Sequence, residues 1–128
     1  MGIKLNKLNI KIDIQLDNGV YVFNNISSTG KTYLYNTINM YLNLDDEIPV
    51  FGLSYTDYEK GLTLAKAIKD KAKLVVIDRY DMYKGEFDKE IEELGKNGIV
   101  LVDCKSPTKL KAYHCAIKLV DSTHIVVR

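Results

Sequence analysis

Residues 20–32 read Val20-Tyr21-Val22-Phe23-Asn24-Asn25-Ile26-Ser27-Ser28-Thr29-Gly30-Lys31-Thr32, and this stretch decides the fold. A short apolar strand, Val20 to Phe23, runs into a small polar loop that ends in Gly30-Lys31-Thr32. Helical spacing begins at once in Thr32-Tyr33-Leu34-Tyr35-Asn36-Thr37-Ile38. A strand, a tight loop, Gly-Lys-Thr and a helix together make a phosphate cradle. Loop amides and the helix N-terminus face an anion, the Lys31 amine reaches the outer phosphates, and the Thr32 hydroxyl ligates magnesium. The full pattern is G-x-x-x-x-G-K-[ST], and Asn25 stands where its first glycine belongs. Asparagine is one of the few residues that visit positive backbone angles, so the cradle can still close. Asn25, Ser28, Thr29, Gly30, Lys31 and Thr32 are therefore the candidate phosphate-binding residues.

Outward from this loop, the chain alternates strands and helices. Before it, Leu8 to Leu16 alternates apolar and polar residues as a half-exposed strand does. Asp17-Asn18-Gly19 then reads as a hairpin turn that pairs this strand antiparallel with residues 20–24. Residues 3–5 add a short edge. After the loop, the helix runs to about Asn43 and ends at Asp45-Asp46-Glu47 and Pro49. Residues 50–55 form a strand, and Thr56-Asp57-Tyr58-Glu59 is a capping box opening a helix to about Asp70. Lys73 to Asp78 is nearly all apolar, as suits a strand covered on both faces. A helix over 84–94, stopped by Gly95 and Asn97-Gly98, leads to a second buried strand over 99–103. Ser106-Pro107 is an N-cap with proline at the first helical position, predicting one or two turns over 107–113. Strands over 116–120 and 124–127 close the chain around an Asp121-Ser122 turn.

This alternation predicts one α/β domain over residues 1–128: three layers, a mainly parallel sheet, helices on both faces and an N-terminal antiparallel strand. Ligands of such sheets sit at the carboxyl ends of the strands. Thr32, Tyr55, Asp78, Asp103 and Cys104 are therefore expected on one edge.

Composition narrows the function. The formal net charge of +1 provides no global field for nucleic acid or an anionic membrane surface. No apolar run reaches transmembrane length and the N-terminus lacks the apolar core of a signal peptide, so the expectation is a cytoplasmic protein with no membrane insertion. Two cysteines without metal-ligand spacing read as free thiols. Sixteen lysines accompany only two arginines, Arg79 and Arg128.

Nucleotide hydrolysis needs a cradle, a magnesium holder, a group that orients water and a positive charge for the transition state. Lys31 and Thr32 meet the first need, and Asp78, ending an apolar strand, is the candidate magnesium aspartate, with an ordinary strand-end cap of the next turn as the alternative. Asp81 is the nearest carboxylate able to act as base. Arg79 serves as a charge clamp, as a finger for a neighbouring copy, or as an ion-pair partner of Asp81 or Glu86. Asp103 and Cys104 lie where an outer-phosphate sensor would sit. Tyr55, Tyr58, Tyr80 and Tyr83 form an aromatic patch near the same edge. Lys105, Lys109 and Lys111 beside His114 read as solvated surface.

The strand, loop and helix resemble the opening of P-loop NTPases of the branch with an additional strand between Walker A and Walker B, near ABC-type ATPase domains and their AAA-like relatives. On that resemblance Gly30, Lys31 and Thr32 match the Walker A core, Asp78 the Walker B aspartate, and the end of Ile99-Val100-Leu101-Val102-Asp103-Cys104 the sensor strand. The chain departs from the pattern at Asn25, at Arg79 in place of the Walker B glutamate, and in lacking an LSGGQ-like signature and a helical insert. Residues 78–80, Asp-Arg-Tyr, are also similar to a motif of thymidylate-kinase-like enzymes. The resemblance implies a domain that binds ATP or GTP with Mg2+, hydrolysing slowly or acting as a nucleotide-dependent switch. A homo-oligomer or a protein partner would complete the site. The alternatives are a non-enzymatic interaction module on a degenerate P-loop scaffold and a small phosphotransferase.

Overall fold

The computed structural model describes residues 2–7, 9–23, 34, 49–83, 85–104, 110–121 and 123–128. Two sheets organise them. Strands β3 (Gly19–Phe23), β4 (Val50–Leu53), β5 (Leu74–Ile77), β6 (Ile99–Val102) and β7 (Tyr113–Cys115) form an all-parallel sheet in the order β4-β5-β6-β3-β7. The runs Leu74–Ile77 and Ile99–Val102 are buried at every position, which is why they lack polar alternation. A second sheet, in the order β1-β2-β9-β8, contains β1 (Ile3–Lys7), β2 (Ile10–Ile14), β8 (Ile117–Asp121) and β9 (His124–Val127).

Because side chains alternate across a strand, the parallel sheet has two different faces. Tyr21, Phe23, Leu74, Val76, Ile99 and Leu101 meet Leu5, Ile12, Ile14, Ile125 and Val127 of the second sheet, together with the helical residue Leu34. On the other face, Val20, Val75, Ile77, Val100 and Val102 pack against the segments carrying α1 (Tyr55–Glu59), α2 (Ala65–Lys69) and α3 (Asp88–Asn97). The second sheet therefore covers a face on which the sequence pattern expects helices. Among the described residues, Leu34 is the helical contribution there.

The N-terminal strand is also placed differently. β2 pairs antiparallel with β1 and parallel with β9, whereas β3 pairs with β6 and β7. Asp17-Asn18-Gly19 is thus a bridge between sheets and not a hairpin. The half-exposed alternation of β2, with Lys11 exposed and Ile12 and Ile14 buried, suits a sheet covered on one face. Beside β3, its polar residues would have faced a covered side. The bridge is held by Gly19 N–H donating to the Gly98 carbonyl at 3.0 Å and by the Tyr21 hydroxyl donating to the Asp17 carbonyl at 2.9 Å.

The helix expected over 56–70 is two short helices. Ser54, not Thr56, is the N-cap: its side chain accepts from Asp57 N–H, and the Asp57 carboxylate accepts from Ser54 N–H. α1 is capped by Lys60 and followed by Gly61, whose φ of +87° permits the reversal, with Gly61 and Leu62 N–H groups bonding back to the Tyr58 and Asp57 carbonyls. The third helix runs on through Gly95 to Asn97 instead of stopping at Leu94. A Cβ at Gly95 would lie 2.7 Å from Val20 Cγ2, so this glycine is the point where α3 approaches β3 closely. Tyr113, expected at the end of a helical turn, opens the edge strand β7. Its segment over 105–109 lies outside the described residues, as does the helix expected after Thr32 apart from Leu34.

Candidate functional site at the carboxyl edge

All five strands of the parallel sheet end on one edge. Leu53, Ile77, Val102 and Val22 are aligned across β4, β5, β6 and β3. The residues that follow them, Ser54, Asp78, Asp103 and Phe23, therefore stand level. Neighbouring strands lie about 5 Å apart, which places Asp103 one strand from β3 and Asp78 two strands, about 10 Å, from it. The chain leaves β3 at this edge after Phe23. Asn25, Ser28, Thr29, Gly30, Lys31 and Thr32 lie outside the described residues.

Asp78 is half-buried, and its N–H donates to the Leu53 carbonyl at 2.9 Å. Asp103 is buried, only 8% exposed, with its N–H on the Ile77 carbonyl at 2.9 Å. These bonds extend the ladder one residue past each strand, so both carboxylates start from fixed backbone. Cys104 is half-buried and packs against the helix-side core, while Tyr55 is half-buried at the end of β4. Four of the five residues expected on this edge are thus described, and they do share it.

Arg79 has φ of +52°, in the left-handed region that costs a non-glycine residue about 1 kcal/mol. Its geometry has a clear use. The turn swings the chain sideways from β5 across the end of β6, so that Tyr80 N–H donates to the Asp103 carbonyl at 2.7 Å. The exposed guanidinium lies 5.7 Å from the centre of the Tyr55 ring. Glu86, one ion-pair partner expected for it, accepts instead from the Tyr58 hydroxyl, and this bond raises the Tyr58 pKa. The backbone of Asp81 lies in the 3-10 turn Tyr80–Tyr83, and its side chain is outside the described set.

The four tyrosines do assemble, with Tyr80 and Tyr83 in the core and Tyr55 and Tyr58 partly exposed beside them. Tyr80 and Tyr83 are 1% and 0% exposed, which removes them from any surface. Tyr83 stacks on Tyr58 at 4.5 Å and meets Tyr80 at 5.3 Å and Phe87 at 6.0 Å. The Tyr80 hydroxyl donates to the Asp88 carboxylate and accepts from Phe87 N–H at 3.1 Å. Burial first, and then the Asp88 carboxylate, push its pKa far above the usual tyrosine range, keeping it a donor. Burial of Tyr80 also removes it from contact with any substrate of an Asp78-Arg79-Tyr80 motif. Sequence reading does not find this role: Tyr80 and Asp88 are eight residues apart and meet only because the 3-10 turn folds back onto the start of α3.

Lys111 and His114 are exposed, and Lys105 and Lys109 are outside the described residues. Among the described residues, no group of three His, Cys, Asp or Glu side chains could hold a metal ion. A cleft of about 570 Å³ bounded by Leu16, Asp17, Lys73 and Ile99 opens at the opposite, amino-terminal end of the strands. No described helix is long and apolar enough to cross a membrane. No protein-family model matches the sequence, and no curated protein matches it.

Proposed function

We propose that this chain is a P-loop NTPase-like domain that binds a purine nucleoside triphosphate, ATP or GTP, with Mg2+ at the carboxyl edge of its parallel sheet. One observation carries the reading: β3, which leads into the Gly30-Lys31-Thr32 loop, lies inside an all-parallel sheet, and Asp103 and Asp78 stand level on the next two strands. β6 separates β3 from the strand ending in Asp78, and β4, from the strand-helix unit over 50–70 that precedes Asp78 in the chain, lies beyond β5 at the sheet edge.

In this reading the loop amides and Lys31 hold the phosphates, and Thr32 and Asp78 hold the magnesium ion directly or through water. Asp103 stands on the strand next to β3, between it and Asp78. Arg79, turned toward Tyr55 and away from β3, is directed to a second molecule and not to the nucleotide of its own copy. The domain then works as a slow hydrolase or a switch, completed by another copy or a protein partner.

Titration of labelled ATP and GTP, with magnesium, into the wild-type chain and a Lys31→Ala variant tests this. Micromolar binding that disappears in the variant is the expected result. Equal weak signals in both proteins overturn it.

A further inference from the structure

Three bonds converge on the short turn after Asp78. Tyr80 N–H is bonded to the Asp103 carbonyl at the end of β6. The Tyr83 hydroxyl reaches the Leu53 carbonyl at the end of β4 at 3.4 Å, the same carbonyl that accepts from Asp78 N–H. The turn thus ties together the carboxyl ends of β4, β5 and β6. It is secured in turn by the Tyr80 hydroxyl, which holds the Asp88 carboxylate and Phe87 N–H at the start of α3. Arg79 adopts its left-handed conformation where the chain must pass from β5 to reach this anchorage. A strained residue is retained only where its surroundings over-determine it, and here the anchorage on both sides does so.

We infer that Tyr80 is a positioning residue: bolted to Asp88, it fixes the turn that sets Asp78 and Asp103 relative to each other at the carboxyl edge. This rests on the proposed nucleotide reading, in which Asp78 holds the magnesium ion with Thr32 and Asp103 stands on the strand beside β3. Tyr80 touches neither metal nor phosphate. Its contribution is to hold the two strand ends in one arrangement before the ligand arrives, so that the cation meets a preorganised edge.

The test compares ATP affinity with magnesium to ATP affinity in EDTA, for the wild type and three variants. The ratio isolates the magnesium-dependent part, which a general loss of stability leaves unchanged in the folded fraction. Tyr80→Phe keeps the ring and removes the hydroxyl. Asp88→Ala removes the partner from the half-buried start of α3 and serves if Tyr80→Phe folds poorly. Asp88→Asn keeps an oxygen acceptor for the hydroxyl. The expected result is a fall in the ratio of about tenfold in Tyr80→Phe and in Asp88→Ala, with most of it restored in Asp88→Asn. A wild-type ratio retained in both Tyr80→Phe and Asp88→Ala overturns the positioning role and leaves nucleotide binding standing. Wild-type protein that binds neither ATP nor GTP in either condition overturns the nucleotide reading and this inference with it.

Discussion

Gly95→Ala is the most direct test of how α3 is seated on the strand that leads into the candidate loop. Gly95 lies within α3, where alanine is favoured over glycine by about 1 kcal/mol. Against this, the added Cβ would lie 2.7 Å from Val20 Cγ2 and 3.2 Å from the Gly19 carbonyl carbon. Carbon atoms prefer a separation of about 3.5–4.0 Å, so the helix and strand must part by close to 1 Å. Neither neighbour yields easily. Val20 is β-branched, stiff at χ1 and buried in the helix-side core, and the other contact is backbone. Overpacking of this kind costs about 1–3 kcal/mol. Subtracting the helix-propensity gain leaves a net loss of about 1 kcal/mol, or a fall in Tm of about 4 °C at this chain length. Urea and thermal unfolding followed by circular dichroism measure it, with exposed Lys96→Ala as the control expected to stay within about 0.5 kcal/mol. A Gly95→Ala protein as stable as the wild type, or more so, would refute the close approach of α3 to β3.

Two further outcomes follow from the same structure. Gly61 and Lys71 both occupy the left-handed position just past a helix end, with φ of +87° and +53°. Gly61→Ala should therefore lose about 1 kcal/mol, and Lys71→Gly should gain a few tenths or more, in urea melts; equal signs for the two would contradict the assigned turns. Burial pushes the Cys115 thiol up to about 12, from an ordinary value of 9.0. The folded state thus keeps its proton while the unfolded chain loses it, so this contribution is complete below pH 9 and declines as pH rises from 9 toward 12. Between pH 8 and pH 10 the wild type should lose about 1 kcal/mol more than Cys115→Ala. Parallel stability curves for the two proteins over that range would place Cys115 in water.

Much of the architecture is legible in the chain because local rules govern it. The apolar runs Leu74–Ile77 and Ile99–Val102 declare themselves as strands covered on both faces, and their parallel pairing agrees. The closing strands on either side of Asp121 form as read, and they pair antiparallel. Errors arise where two local signals compete. Asp17-Asn18-Gly19 has hairpin composition, yet the difference between a strand exposed on one side and one buried on both sends its flanking strands into separate sheets. Gly95 has the composition of a helix stop, but its lack of a side chain serves packing against Val20. The residue pair at the start of the capping box shifts to Ser54 and Asp57 because the strand ends earlier than the apolar pattern suggests.

The amino-acid sequence by itself determined the class of the sheet and the presence of carboxylates at two strand ends, since strand periodicity acts over a few residues. Tertiary structure alone decided that β6 lies between β3 and β5, that a second sheet covers one face, and that Tyr80 is bolted to Asp88. These are contacts between segments far apart or folded back in the chain, and they depend on which buried surfaces fit together, a property no local pattern encodes.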